Sequence, residues 1–371
     1  MATLMPVSAV AVLGDVAAPP GVECVRGEVA QHQVRRGRRL APGLTTPAVV
    51  AVKSTVPVGT APRVAELLRE YAPAGDLVEV AWNPEFLRES FAVDDTLRPD
   101  RLVLGFNTTH SWAETLLRQA FAKIIESGTS TIVTDWATAE LAKGAANSFL
   151  GTKISFINAM AEVCEKSGAD VAGLADILGH DHRIGRHGMR PGLGFGGGCL
   201  PKDLAGFITR ADELDAGQAV GILREAAAVN ARRQRVIDLA REELGSDLRG
   251  KRITVWGAAF KPETDDIRDS PALAVAQALH DFGATVTVTD PKALDNARKL
   301  HPELDYVEDP IAAVDDADLL LHLTEWHHFT AIDPKRLATR TTTPKVIDAR
   351  GTLNTGQWRD AGWIMRALGR S

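Results

Sequence analysis

The chain has 371 residues, 45% of them hydrophobic and 24% charged, and a formal net charge of −6. That composition excludes a disordered or fibrous chain, leaves room for about two or three globular domains, and gives no general reason to expect nucleic acid or an anionic membrane as a partner. Cys24, Cys164 and Cys199 are odd in number and far apart, without a Cys-x-x-Cys pair. This argues against a disulfide framework or a zinc site and for a reducing cytoplasm. No apolar run approaches bilayer length and no basic region precedes Val7 to Leu13, so neither a membrane span nor a signal peptide is expected.

In chain order, Val10 to Gly14 has the composition of a buried strand. Asp15 to Gly21, which follows, contains no Gly-x-Gly-x-x-Gly and carries Pro19 and Pro20 where a dinucleotide-binding helix would begin. The basic run Arg35 to Arg39 reads as a solvated helix end. From Ala48 the pattern becomes regular. Ala48 to Val52 is a continuous apolar run, as in a parallel strand buried on both faces, and it ends in Lys53-Ser54-Thr55-Val56-Pro57-Val58-Gly59-Thr60. A helix over Ala61 to Tyr71 and a strand over Leu77 to Trp82 follow, the strand ending in Asn83-Pro84-Glu85-Phe86-Leu87-Arg88-Glu89. Further strands are expected over Asp100 to Gly105 and Thr129 to Thr134, with a helix over Ser111 to Ile125 between them. Alternating strands and helices imply a doubly wound α/β sheet whose ligands gather at C-terminal strand ends, where both polar clusters lie.

Asp135 to Gly168 is one long helical pattern with Asp135 as N-cap; Lys143 and Asn147, four apart, share a face, and Cys164 reads as core. Val171 to Leu178 continues helical, and His180-Asp181-His182 reads as loop, since adjacent residues cannot readily converge on one metal. Leu193-Gly194-Phe195-Gly196-Gly197-Gly198-Cys199-Leu200-Pro201-Lys202-Asp203 then presents a thiol, an amine and a carboxylate after glycines that permit close ligand approach. Leu204 to Leu214 is helical, so Cys199 sits before a helix N-terminus and beside Lys202, both of which favour the nucleophilic thiolate. Ala219 to Glu243 is expected as one helix and Gly245 to Gly250 as a linker. A second α/β unit has strands over Arg252 to Trp256, Thr285 to Thr289, Leu319 to Leu323 and Lys345 to Ile347, with helices near Pro271 to Phe282 and Lys292 to Leu300. Lys261, Arg268 and Arg350 then lie at one sheet edge, which suits a phosphate-bearing ligand.

Taken in order, Lys-Ser-Thr-Val-Pro-Val-Gly-Thr, Asn-Pro-Glu-Phe-Leu-Arg-Glu, Glu-x-x-Lys-x-x-x-Asn, Gly-Phe-Gly-Gly-Gly-Cys-Leu-Pro-Lys-Asp and Phe-Lys-Pro-x-Thr-Asp-Asp-x-Arg-x-Ser-Pro make this chain resemble the UDP-glucose/GDP-mannose dehydrogenase family from about Ala48 onward. The resemblance implies two Rossmann-like units joined by a long-helix central domain: a remnant NAD-binding domain over 1–135 with 1–47 atypical, a central dimerisation domain over 136–245, and a UDP-sugar-binding domain over 246–371. It implies an NAD-dependent oxidation of a sugar alcohol to a carboxylate in two hydride transfers through a cysteine thioester. By motif, Cys199 would be the nucleophile, Asp203 and Lys143 would handle protons and the oxyanion, and Thr55, Glu85 and Asn147 would order water and sugar. Phe86, Leu87, Arg88, Lys143, Asn147, Gly196, Lys261 and Arg350 would contact the nucleotide sugar, and Arg183 would reach it across a homodimer formed through the central helix. Thr55, Glu89, Lys202 and Arg268 fall on the cofactor side, and no metal is implied. UDP-glucose is the expected substrate, with GDP-mannose or a UDP-N-acetyl sugar as alternatives. Only 52 residues precede Lys53, whereas each βαβ unit takes about 30 or more. Most of the first half of the cofactor domain is therefore expected to be missing or scrambled, which makes a nucleotide-sugar-binding homologue without cofactor competence the other alternative.

Overall fold

The structure, a computed structural model, describes residues 9–14, 28–108 and 111–370. Cys24 and the proline-bearing stretch 15–21 lie outside the described residues. The chain forms two compact units, one from residues up to Ser148 with Ala205–Gly217, the other from Phe149–Leu204 with the chain from Gln218 onward.

The first unit runs β1 (Ala9–Gly14), α1 (Glu28–Leu40), β2 (Ala48–Lys53), α2 (Thr60–Tyr71), β3 (Val78–Trp82), α3 (Ala92–Leu97), β4 (Arg101–Phe106), α4 (Trp112–Ala120), α5 (Ala122–Glu126) and β5 (Ser130–Asp135). It leads into α6 (Trp136–Ser167). The apolar run of β2 is apolar because both faces are covered. Val50 and Val52 pack with Val64 and Leu68 of α2, while Val49 and Ala51 pack with Ala113 and Leu117 of α4. The strands stand in chain order, β1-β2-β3-β4-β5. β1, β2 and β3 are parallel; β4 meets β3 antiparallel through the pair Trp82–Gly105, and β5 is parallel to β4. Among the described residues the order never reverses, and β1 stands at one edge. Asp135 caps α6 through the Thr138 N–H, 2.8 Å. The expected helix over Ser111 to Ile125 is instead two, divided at Phe121.

The second unit contains the rest of α6, then α7 (Val171–His180), the start of α8 (Leu200–Glu213), α9 (Gly221–Asn230) and α10 (Gln234–Leu244). The helix expected over Ala219 to Glu243 is thus broken after Asn230. Its sheet runs β6 (Arg252–Trp256), α11 (Pro271–Asp281), β7 (Thr285–Thr289), α12 (Leu294–Leu300), β8 (Asp305–Tyr306), β9 (Leu319–His322), α13 (His327–Thr330), α14 (Pro334–Ala338), β10 (Lys345–Asp348), α15 (Thr355–Asp360) and β11 (Ile364–Ala367). The spatial order β8-β7-β6-β9-β10-β11 is that of a complete dinucleotide-binding fold, and it reverses between β6 and β9. Trp256, Phe329 and Trp358 fill its core, Trp256 and Phe329 stacked at 5.0 Å. Asp290, at the end of β7, is buried and accepts the N–H groups of Ala258 at 2.8 Å and Ala259 at 3.0 Å together with the Trp326 indole N–H at 3.0 Å. It also caps the turn into α12 through Lys292 and Ala293, both at 2.9 Å. Cys164 is core, packed with Ile157, Ala161 and Val171.

Candidate active site

In the second unit the residues from Arg190 to Cys199 form no helix or strand, so their backbone groups need partners from elsewhere. Asn158 of α6 accepts the Gly192 N–H at 2.8 Å, and Lys153, one helical turn and a half earlier, donates to the Ile184 carbonyl at 2.8 Å. Asn230, the last residue of α9, accepts the Phe195 N–H at 2.8 Å and donates to the Phe195 carbonyl at 3.0 Å. The next residues lie against the loop that leaves β6, where Gly197 donates to the Arg268 carbonyl at 2.9 Å. A Cβ on Gly196 would run into the Asp269 carbonyl oxygen, and one on Gly197 into the Phe260 ring. The glycines expected to admit a ligand are therefore also what lets two backbones meet.

Cys199 is exposed and stands immediately before α8, its carbonyl accepting the Asp203 N–H at 2.8 Å as the first helical bond. An exposed thiol at a helix N-terminus has the field that favours its anion. Asp203 is buried, and Lys202 Nζ lies 3.9 Å from its Oδ1. Arg268 forks onto Asp266, with Nε 3.0 and 2.9 Å from the two carboxylate oxygens, and its guanidinium covers Gly198. Lys261 stands over the Phe260 ring at 5.6 Å. Arg350 is buried and used structurally: Nε donates to the Leu323 carbonyl at 2.7 Å, Nη1 to the Gly194 carbonyl at 3.2 Å, and Glu325 lies 3.3 Å away. Arg183 is exposed and paired with Asp181, Nε to Oδ1 at 3.0 Å.

In the first unit, Lys143 of α6 is buried with its ammonium 5.6 Å from the centre of the Phe86 ring, whose face also carries Arg101 at 3.6 Å. The Asn-Pro-Glu-Phe motif and the long helix thus meet at Phe86. Lys53 donates to Asn83 at 2.7 Å; burial pushes its ammonium below the usual lysine range, against the opposing pull of Glu85. Thr55 is half-buried just past the end of β2. After Phe86, Leu87 is exposed and Glu89 half-buried, and Arg88 forks onto Asp95, Nη2 to Oδ1 at 2.6 Å. Asn147 is half-buried one turn beyond Lys143. Glu140, one turn before Lys143, received no role from the sequence, yet its buried carboxylate accepts the N–H groups of Gly59 at 2.7 Å and Ala61 at 2.6 Å. Burial raises its pKa despite those bonds. The signal for it was its position in the Glu-x-x-Lys-x-x-x-Asn spacing. With these N–H groups taken, the N-terminus of α2 has none of its usual capacity for a phosphate.

Residues 137–232 match the central domain of the UDP-glucose/GDP-mannose dehydrogenase family, 254–355 its UDP binding domain, and 30–125 its NAD binding domain. The UDP-glucose 6-dehydrogenase of Rhizobium meliloti (strain 1021) is 41% identical over 336 residues, 90% of this chain and 76% of that protein. That of Pseudomonas aeruginosa is 37% identical over 349 residues, 91% of this chain and 76% of its own. Among solved structures, a UDP-glucose dehydrogenase from the hyperthermophilic archaeon Pyrobaculum islandicum superimposes with a TM-score of 0.83 at 34% identity, covering 98% of this chain and 79% of that one. With all three domain types matched in order and this level of identity over most of its length, the chain belongs to the UDP-glucose/GDP-mannose dehydrogenase family.

Proposed function

We propose that the chain is an NAD-dependent UDP-glucose 6-dehydrogenase that converts the C6 alcohol of its nucleotide sugar to a carboxylate. The observation that carries this reading is the exposed Cys199 thiol at the head of α8, on a loop pressed against the exit of β6 in a sheet of dinucleotide-binding order. The relatives' names support the choice of sugar.

Bound NAD supplies the acceptor for one hydride from C6 in each of two oxidations. The chain's own groups do the rest. Lys143 and Asp203 hold the proton and the negative charge that develop on the C6 oxygen. The Cys199 thiolate adds to the C6 aldehyde, and the thiohemiacetal, having lost its second hydride, becomes a thioester. Thr55, Glu85 and Asn147 order water for attack on that thioester, which releases the carboxylate and restores the thiol. The sum is one alcohol, one water and two NAD giving one carboxylate, two NADH and three protons. Lys261, Gly196, Arg350, Phe86, Leu87 and Arg88 serve the nucleotide sugar. Thr55, Glu89, Lys202 and Arg268 are assigned to the cofactor side by the motif resemblance. Glu140 occupies the N–H groups of Gly59 and Ala61 at the N-terminus of α2.

A homodimer through α6 belongs to the same proposal. Phe149, Phe156 and Val163 stand seven residues apart on that helix with 67%, 48% and 55% of their surfaces exposed. Such a heptad stripe is the seam of helix pairing. Arg183, exposed on the turn after α7, is the residue assigned to the partner's sugar.

The test is stoichiometric: UDP-glucose supplied to the protein with NAD yields two NADH per UDP-glucuronate, and Cys199→Ser lowers acid formation by about a thousandfold or more. Undiminished acid formation by that variant defeats the covalent role. A second reading, a nucleotide-sugar-binding homologue without cofactor competence, is favoured by one observation, the sequence between β1 and α1, which has no Gly-x-Gly-x-x-Gly. Separate titrations with UDP-glucose and NAD decide between the two.

A further inference from the structure

We infer that Asn230 is a positioning residue for the Cys199 thiol, acting through the peptide of Phe195. The inference rests on the thiol chemistry proposed above, and it follows from how the glycine loop is held.

Asn230 spends both ends of its amide on one residue, accepting from the Phe195 N–H at 2.8 Å and donating to the Phe195 carbonyl at 3.0 Å. A primary amide is the smallest side-chain group with donor and acceptor spaced for this, and aspartate supplies only the acceptor. The grip sits where the loop is otherwise weakest. Gly194 has φ +114, in the region that favours glycine, and a Cβ there would meet the Asn230 Oδ1 atom at 2.8 Å. The bend is thus shaped to receive this side chain. On the opposite side the Phe195 ring is buried against the notch at Gly151 of α6, where a Cβ would come within 3.3 Å of it. Ring and peptide of one residue are fixed by two different helices. From Phe195 the chain reaches Cys199 through three glycines, which have the widest conformational freedom of any residue type. Their path is set at its far end by the contact of Gly197 with the Arg268 carbonyl. Its near end is set by Asn230.

The same interaction accounts for the break after α9. Asn230 is the last residue of α9, and Arg233 is the N-cap of α10. A helix running straight through would carry the amide elsewhere. Asn230 touches neither sulfur nor carboxylate of the assigned machinery, so its effect is on geometry and not on chemistry.

The experiment compares Asn230→Ala and Asn230→Asp with the wild-type protein in two ways. The first is the rate of Cys199 alkylation by iodoacetamide from pH 6 to 9, which needs no substrate or cofactor, with Cys199→Ser locating the label. The second is kcat and KM for UDP-glucose oxidation, alongside the dissociation constant for UDP-glucose and the thermal midpoint. We expect Asn230→Ala to slow alkylation at pH 7 by about fivefold or more and to move the pH–rate midpoint upward, as a thiolate leaves its preferred place at a helix end. Its kcat falls about tenfold with UDP-glucose binding within about twofold, and Asn230→Asp, which keeps the bond to the Phe195 N–H, recovers part of the loss. Wild-type alkylation profiles in both variants would overturn the inference. So would loss of thermal midpoint and sugar binding in step with activity, the result of a merely structural role. If Cys199→Ser itself keeps full acid formation, the covalent reading fails, while the alkylation arm still decides the role of Asn230.

Discussion

His322 shows how much one buried side chain can decide. It lies fully buried at the end of β9, Nε2 2.8 Å from the Thr352 hydroxyl, Nδ1 without a hydrogen-bond partner, its ring edge-on to Trp256 and Phe329. Burial holds its pKa below the ordinary 6.5; Asp348 and Glu325 pull it upward and Arg350 downward, and burial outweighs them. The unfolded chain therefore takes up a proton near pH 6.5 that the folded one refuses. Stability from this residue is complete above that pH and declines below it, by up to about 1.4 kcal/mol per pH unit until the folded imidazole protonates as well. Urea unfolding between pH 7.5 and 5 is expected to show that slope in the wild-type chain and its loss in His322→Leu; equal slopes would refute it. At the same scale, Arg350 marks a limit of sequence reading. An arginine after a strand end points to a phosphate, and only the fold reveals that the Leu323 and Gly194 carbonyls also hold its guanidinium in place.

Among elements, the β2–α2 turn and the long helix α6 depend on each other through Glu140. Removing that carboxylate leaves two N–H groups, those of Gly59 and Ala61, without acceptors. Glu140→Ala is expected to cost about 2–4 kcal/mol, as each buried donor left unmade costs about 1–3 kcal/mol. Glu140→Gln, which keeps an acceptor, costs less than half of that; chemical denaturation of both variants checks the order. Elements whose pattern is local were legible in sequence. The buried strands β2, β6 and β7, α6 with its Asp135 cap, and the glycine loop ahead of α8 all carry their signal in neighbouring residues. What was not legible has distant causes. The break after Asn230 answers to Phe195, 35 residues away, and the antiparallel turn at β4 is fixed only by the pairing of Trp82 with Gly105.

For the molecule as a whole, the five motifs point to the family, and the two sheets differ in strand order. The second sheet reverses between β6 and β9 as a ligand-binding crevice requires, while the first keeps chain order with β1 at its edge. No described helix is long and apolar enough to cross a membrane; the exposed stripe of Phe149, Phe156 and Val163 is the surface that the proposal above gives to a second copy. If the chain pairs through α6 as proposed, Phe156→Glu is expected to leave it monomeric in light scattering at micromolar concentration, since a carboxylate in a helix seam loses its hydration. A monomeric wild-type chain would remove the basis for this expectation.

The carboxylate at the end of β7 has a last implication. In a dinucleotide fold that acid is free to receive a ribose, but Asp290 is saturated by its own domain, with backbone and indole donors closing over it. That carboxylate is thereby not left open for a ribose in the second sheet. On the function proposed above, both hydrides would go to NAD bound in the first unit, one after the other, and the half-oxidised sugar would have to be held between the two transfers. The covalent bond proposed for the exposed Cys199 thiol would be such a mooring.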